Sequence, residues 1–186
     1  MTSQTAAIGA EEYFDLVRHG VVAPDDRVEL LEGVIVTMSP QSPRHASAMR
    51  RVARSLRDAL GPSAVISVQS PLVAGHRSVP EPDVAVLPGT DADYDQSHPR
   101  EALLVVEVAD SSLVQDRLTK ASIYAAAGIP EYWIVNLRDD VVEVFRSPDV
   151  AAGAYGSSST VRRGECLEIA GRRGSVVAVG DLLPAV

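Results

Sequence analysis

Glu107 stands inside an otherwise apolar run, Leu103–Ala109, LLVVEVA. A carboxylate in such a strand is costly unless it is paired or holds a cation. Two other residues give it a reason. Asp83 ends the stretch Pro80–Asp83, PEPD, ahead of a second apolar strand, and Lys120 lies on the helix that follows Glu107. Asp83 and Glu107 are hard oxygen donors suited to Mg²⁺, which takes one or two carboxylates and keeps places for water and phosphate. The Val108 carbonyl is a further oxygen. A divalent cation so held neutralises phosphate charge and generates hydroxide near neutral pH. Lys120 would orient the attacking water or stabilise the developing negative charge. Residue types and order therefore read as metal-assisted phosphodiester hydrolysis, with Asp83, Glu107 and Lys120 catalytic and Asp83, Glu107 and Val108 as metal ligands.

Bland explanations compete for each residue taken alone. A Pro-Asp pair is a common turn, and an acid four residues before a lysine is an ordinary exposed helix pair. Glu107 resists such dismissal, because acids in central apolar strands are rare.

The elements that must position these groups are legible as patterns. Leu103–Val108 is too continuously apolar for a half-exposed strand and is predicted to lie centrally in a sheet. Ser112 and Gln115 read as a capping box that opens a helix over Leu113–Ala127, which Gly128 and Pro130 stop. On that helix Asp116, Lys120 and Tyr124 form one stripe, separate from a Val114–Leu118–Ala121–Ala125 stripe expected to pack on the core. Asp116 is expected to pair with Lys120 and hold its rotamer. Upstream, Glu11–His19 reads as a short helix and Arg27–Met38 as a hairpin turning at Glu32-Gly33. Pro43–Leu60 reads as a helix with Ser42 as its N-cap. Ala64–Val73 is strand-like with a bend at Pro71, and Asp83–Leu87 is a short strand. Downstream come a hairpin, Glu131–Leu137 with Val141–Arg146, a flexible small-residue loop over 147–160, and short closing strands. The order predicts an α/β fold with a central mixed β-sheet flanked by helices. It also predicts one domain over 11–186, after a poorly ordered stretch 1–10.

With 186 residues and 46% hydrophobic content the chain can bury a single core. No apolar run approaches the roughly 18 residues of a membrane span, so no membrane association is expected. The lone cysteine, Cys166, is expected to be a small buried residue in a strand, with no Cys/His spacing for zinc. Cysteine usage of this kind points to the cytoplasm. A net charge of −8, from 25 acids and 17 bases, argues against non-specific coating of nucleic acid. Aromatic residues are 4% of the chain, which argues against single-strand binding by stacking. Tyr132 and Trp133 read as core anchors. Arg44, Arg50, Arg51, Arg54 and Arg57 gather around one helix, as either a phosphate-contacting or a solvated face.

The segments EPDVAVL, LLVVEVADSS, the D-x-x-x-K of the next helix and AAGIPEYWIVN resemble the PD-(D/E)xK nuclease superfamily. Within it they are similar to the bacterial restriction endonucleases of the Uma-two type, as is the earlier ELLEGVIVTMSPQSPRHA. The resemblance spans residues 11–146. It implies a restriction-endonuclease-like core, a Mg²⁺ or Mn²⁺ site and DNA as substrate. Residue by residue, it makes Asp83 and Glu107 metal ligands and Lys120 the catalytic lysine. Glu29 becomes a supplementary acid and His45 a polar group at the site's edge. Independently of the resemblance, the helical stripe adds Asp116 and Tyr124 in support, and Gln69, before Pro71, is expected to line the cleft. One departure matters: where the simplest motif has a lysine two residues after the glutamate, this chain has Ala109. Lys120 must therefore reach inward from the helix. Two rivals stay open: a non-catalytic dimeric binding module that keeps the fold, and a nuclease acting on RNA or another phosphoester. A symmetric homodimer would let one site per chain cut both strands of a duplex.

Overall fold

The computed structural model describes residues 7–23 and 25–185. The expectation for residues 1–10 falls mostly on 1–6, outside the described residues. Ile8 and Ala10 are held by backbone bonds to Gly33 and His76.

Helix α1 (Ala10–Arg18) leads into the antiparallel hairpin β1 (Val28–Leu31) and β2 (Val34–Thr37). Its turn residues Glu32 and Gly33 both take positive φ, as a tight turn requires. Helix α2 (Pro43–Leu60) starts where its sequence says it should: the Ser42 hydroxyl accepts the His45 amide and Pro43 sits at the first helical position. A six-stranded sheet runs in the order β3 (Val65–Val68), β4 (Val84–Leu87), β5 (Leu104–Ala109), β6 (Glu131–Asn136), β7 (Val141–Asp149) and β8 (Ala154–Arg162). Only β5 and β6 pair in parallel, so the sheet is mixed, as predicted. A small ribbon of β9 (Cys166–Glu168) and β10 (Val176–Ala178) and a short helix α5 (Val179–Leu182) close the chain.

Strand alternation divides the core. Leu104, Val106 and Val108 of β5 face α2 with Val84 and Val86 of β4. Val105 and Ala109 face the opposite layer with Ala85, Leu87 and Tyr124. Glu107 and Asp83 share the parity of this second set. Every residue of β5 is buried, which accords with its expected central place.

Several expectations are corrected. The helix after β5 is not one regular stretch: α3 (Leu113–Gln115) passes through a π turn (Asp116–Lys120) into α4 (Ala121–Ala126). The capping box is absent, because Ser112 is itself helical and its hydroxyl turns to Asp116. Val114 and Leu118 point to solvent, while Ala121 and Ala125 are buried. The expected loop over 147–160 is largely strand: β7 and β8 pair from Val141↔Arg162 to Asp149↔Ala154. Its small polar residues belong to an exposed edge strand, which has no apolar alternation to reveal it. Strand β3 stops at Val68, where Gln69 takes φ 46°, short of the expected Val73. Cys166 is exposed rather than buried.

Candidate active site

Register brings the two acids together. In the β4–β5 ladder Val84 pairs with Val106, so Asp83 and Glu107 lie opposite one another just past that pair. The Val108 amide donates to Asp83 Oδ2 at 2.8 Å, and the Asp83 amide reaches Glu107 Oε2 at 3.4 Å. Asp83 Oδ2 also accepts His45 Nε2 at 3.1 Å, from the first turn of α2. No described residue donates to Asp83 Oδ1.

Lys120 reaches inward from the π turn. Its ammonium stands 3.0 Å from Glu107 Oε1 and 3.2 Å from Glu29 Oε2, and all three side chains are buried. The expected Asp116–Lys120 pair does not form; Asp116 Oδ2 instead accepts the Ser112 hydroxyl at 2.6 Å. The Tyr124 hydroxyl donates to Glu107 Oε1 at 2.7 Å. Glu29 also accepts the Glu81 amide, which ties the first hairpin to the segment before β4.

All of these groups except Tyr124 line a cleft of about 150 Å³. Six acids border it, Glu29, Glu81, Asp83, Glu107, Asp110 and Asp116, against Arg27, Lys120 and His45. Burial raises the Glu107 carboxyl to about 8, against the pull of Lys120. It raises Asp116 to about 6, again with Lys120 opposing. Burial would lower Lys120, but Glu107, Glu29 and Asp116 outweigh it and hold the amine as an ammonium. Burial likewise pulls His45 down; the Asp83 hydrogen bond, Asp83 and Asp110 charges and the Val108 carbonyl push it up on balance.

Glu29, His45, Asp83, Glu107, Val108, Asp116 and Lys120 thus share one cleft. Tyr124 lies behind it, on Glu107. Gln69 is not brought there: its amide bonds to the Pro82 and Asp83 carbonyls, outside the cleft wall. Sequence reasoning missed Glu81 and the Ser42–Asp110 hydrogen bond of 2.7 Å at the cleft mouth. Glu81 was in view within PEPD, whereas nothing local marks a serine and an aspartate 68 residues apart as partners.

The donor set is compatible with a hard divalent cation, since acids outnumber bases in a partly closed cleft. Among the described residues no three His, Cys, Asp or Glu groups converge as a ready-made cage. Mg²⁺ does not need one, because it retains several waters.

The Uma2 family profile, described as "Putative restriction endonuclease", matches residues 10–175. The chain belongs to the Uma2 family. No curated protein matches this Uma2 chain. Its fold is similar to a crystal structure described as a putative nuclease belonging to DUF820, from Anabaena variabilis ATCC 29413. That likeness has a TM-score of 0.75 at 14% identity and covers 94% of this chain and 97% of the other. It establishes that the Uma2 chain shares the α/β fold of that structure. The type IIG restriction endonuclease BpuSI is also similar over 64% of this chain and 14% of its own, at 16% identity. Its TM-score of 0.39 is too low to bear on the fold. No described helix is long and apolar enough to cross a membrane.

Proposed function

We propose that this Uma2 chain is a divalent-metal-dependent endonuclease that hydrolyses DNA phosphodiester bonds in the cleft between β4, β5 and the π turn. The observation that carries the reading is the Lys120 ammonium 3.0 Å from Glu107, with Asp83 opposite it at the entry to β4. Membership of a restriction endonuclease family supports it.

Asp83, Glu107 and the Val108 carbonyl would hold Mg²⁺ or Mn²⁺. Bound there, the cation supplies Lewis-acid charge and acidifies a water. The remaining work falls to the chain itself. Lys120 places a fixed positive charge where negative charge builds on the phosphate. Glu29 holds the ammonium from the far side, Tyr124 fixes the Glu107 rotamer, and His45 steadies Asp83. Cutting both strands of a duplex with one site per chain calls for a symmetric homodimer.

The test incubates the protein with Mg²⁺ or Mn²⁺ and with supercoiled, linear and single-stranded DNA and RNA in parallel. Cleavage of DNA that disappears in both Glu107→Ala and Lys120→Ala is the expected result. Cleavage unchanged in both would remove this site from the reaction, and a preference for RNA would reassign the substrate. One observation favours a second reading, a binding module that keeps the fold: both Glu107 oxygens already have protein donors. Calorimetry separates the two, because absence of Mn²⁺ binding to the wild type would support the module.

A further inference from the structure

The turn that carries Lys120 runs against the apolar pattern of its own sequence. In a regular α-helix Val114, Leu118, Ala121 and Ala125 share one stripe. Here Ala121 and Ala125 are buried, while Val114 and Leu118 are 71% and 67% exposed. The change occurs across Asp116–Lys120, where the Ala121 amide reaches back five residues to the Asp116 carbonyl. A wider turn rotates less per residue, so side chains before it fall out of line with those after it. The result is that Asp116 and Lys120 turn inward and two large apolar side chains are left in water. Such π turns collect at functional sites, where local rules are broken for a positional gain.

Something must hold the turn in this state. The Asp116 carbonyl accepts a second hydrogen bond, from the Tyr132 hydroxyl, at 3.2 Å. Tyr132 projects from β6, is wholly buried, and packs its ring on Tyr124 with centroids 5.0 Å apart. Tyr124 in turn holds Glu107. Two adjoining tyrosines therefore grip the two partners of the ion pair, one through its glutamate and one through the turn that bears its lysine.

We infer that Tyr132 is a positioning residue: its hydroxyl fixes the π turn that delivers the Lys120 ammonium between Glu29 and Glu107. The inference rests on the nuclease reading only for what Lys120 does once it is in place.

Tyr132→Phe removes the hydroxyl and keeps the ring in the core. Tyr155→Phe is the matched control, because Tyr155 belongs to the same aromatic cluster and its hydroxyl donates to the Ile129 carbonyl, not to the turn. The first readout is proton exchange of the Lys120 ammonium, followed by ¹⁵N nuclear magnetic resonance, and it needs no catalysis. Loss of one buried hydrogen bond should speed that exchange about tenfold in Tyr132→Phe and leave it at the wild-type rate in Tyr155→Phe. The second readout is Mn²⁺-dependent cleavage, where kcat should fall about tenfold in Tyr132→Phe with KM unchanged. A merely structural hydroxyl would lower the unfolding midpoint in both variants and move neither readout. Equal Lys120 exchange in the two variants overturns the inference. If the wild type cleaves no nucleic acid, the nuclease reading falls and the exchange measurement alone decides the role of Tyr132.

Discussion

Lys120 meets Glu107 at 3.0 Å although one rides on a helical turn and the other on a central strand, and both are closed off from solvent. Taking both charges out of water costs several kcal/mol per ion, which their attraction only partly offsets. A well-packed apolar pair would serve stability at least as well. Glu29 adds a second carboxylate 3.2 Å from the same ammonium, so once Glu107 ionises the cluster carries an excess of negative charge. An excess of this sign, in a partly open cleft, is compatible with a cation.

Lys120→Met should expose that imbalance. It leaves Glu107 and Glu29 without their shared cation, and breaking a buried pair in this way costs about 3–5 kcal/mol. Urea denaturation of the metal-free protein above pH 8, where Glu107 is ionised, should show that loss. Glu107→Gln combined with Lys120→Met should recover about 0.5–3 kcal/mol of it, because the two residues are coupled. Strict additivity of the two single changes would contradict the pairing.

The acids of the cleft set the direction of the pH dependence. Glu107 is raised by burial from 4.5 to about 8, and Asp116 from 3.8 to about 6. Between those limits the unfolded chain has already lost the proton that the folded chain keeps, so folding opposes ionisation. Stability from these groups is therefore greatest below their unfolded values and is lost as pH rises to about 6 for Asp116 and about 8 for Glu107. Lys120 is raised from 10.5, so its contribution is lost only at more alkaline pH. The metal-free protein should have a lower urea midpoint near pH 8 than near pH 5, and Glu107→Gln should flatten the upper part of the curve. A wild-type midpoint that does not change across this range would show that Glu107 is ionised throughout.

Strands β4, β5 and β6, the first hairpin and α2 are legible because their signals are local: apolar runs, a Glu-Gly turn, and Ser-Pro at a helix start. Glu107 stood out for the same reason, as a charge in a run that had to be buried. The π turn was not legible, since no dipeptide or period encodes a bond to the fifth residue. Val114 and Leu118 imply by their apolar character a stripe that the fold does not use. Strand β8 escaped because glycine and serine signal loops, and only its partner β7 makes the ladder. Spacing pairs Asp116 with Lys120, whereas the partners Lys120 takes in the fold, Glu29 and Glu107, are distant in sequence.

Glu131 should matter to stability and not to the site. Its carboxylate is wholly buried at the start of β6, the end of that strand remote from Asn136 and the cleft. It accepts Arg146 Nε at 2.8 Å, Trp133 Nε1 at 2.9 Å and the Ala170 amide at 2.7 Å, which ties the C-terminal ribbon to the sheet. Glu131→Ala strands all three donors and should cost about 3–5 kcal/mol in urea denaturation. Mn²⁺ affinity measured by calorimetry below the new unfolding transition should stay at the wild-type value. A fall in affinity matching that of Glu107→Ala would tie Glu131 to the site.

Leu118→Gln tests the helical register directly. In the regular helix implied by the sequence, Leu118 would sit on the core stripe with Ala121 and Ala125. Replacing a buried leucine with a polar side chain would then cost several kcal/mol, through lost packing and an unsatisfied amide. With the π turn in place Leu118 is largely in water, so the change should stay within about 0.5 kcal/mol. Ala125→Gln supplies the contrast, since Ala125 is fully buried and a larger polar side chain there has no room. Thermal unfolding of the two variants should therefore separate sharply, with Leu118→Gln near the wild type and Ala125→Gln well below it. A large loss in Leu118→Gln would mean that the segment is a continuous α-helix in solution, and Lys120 would then have to reach Glu107 by another route.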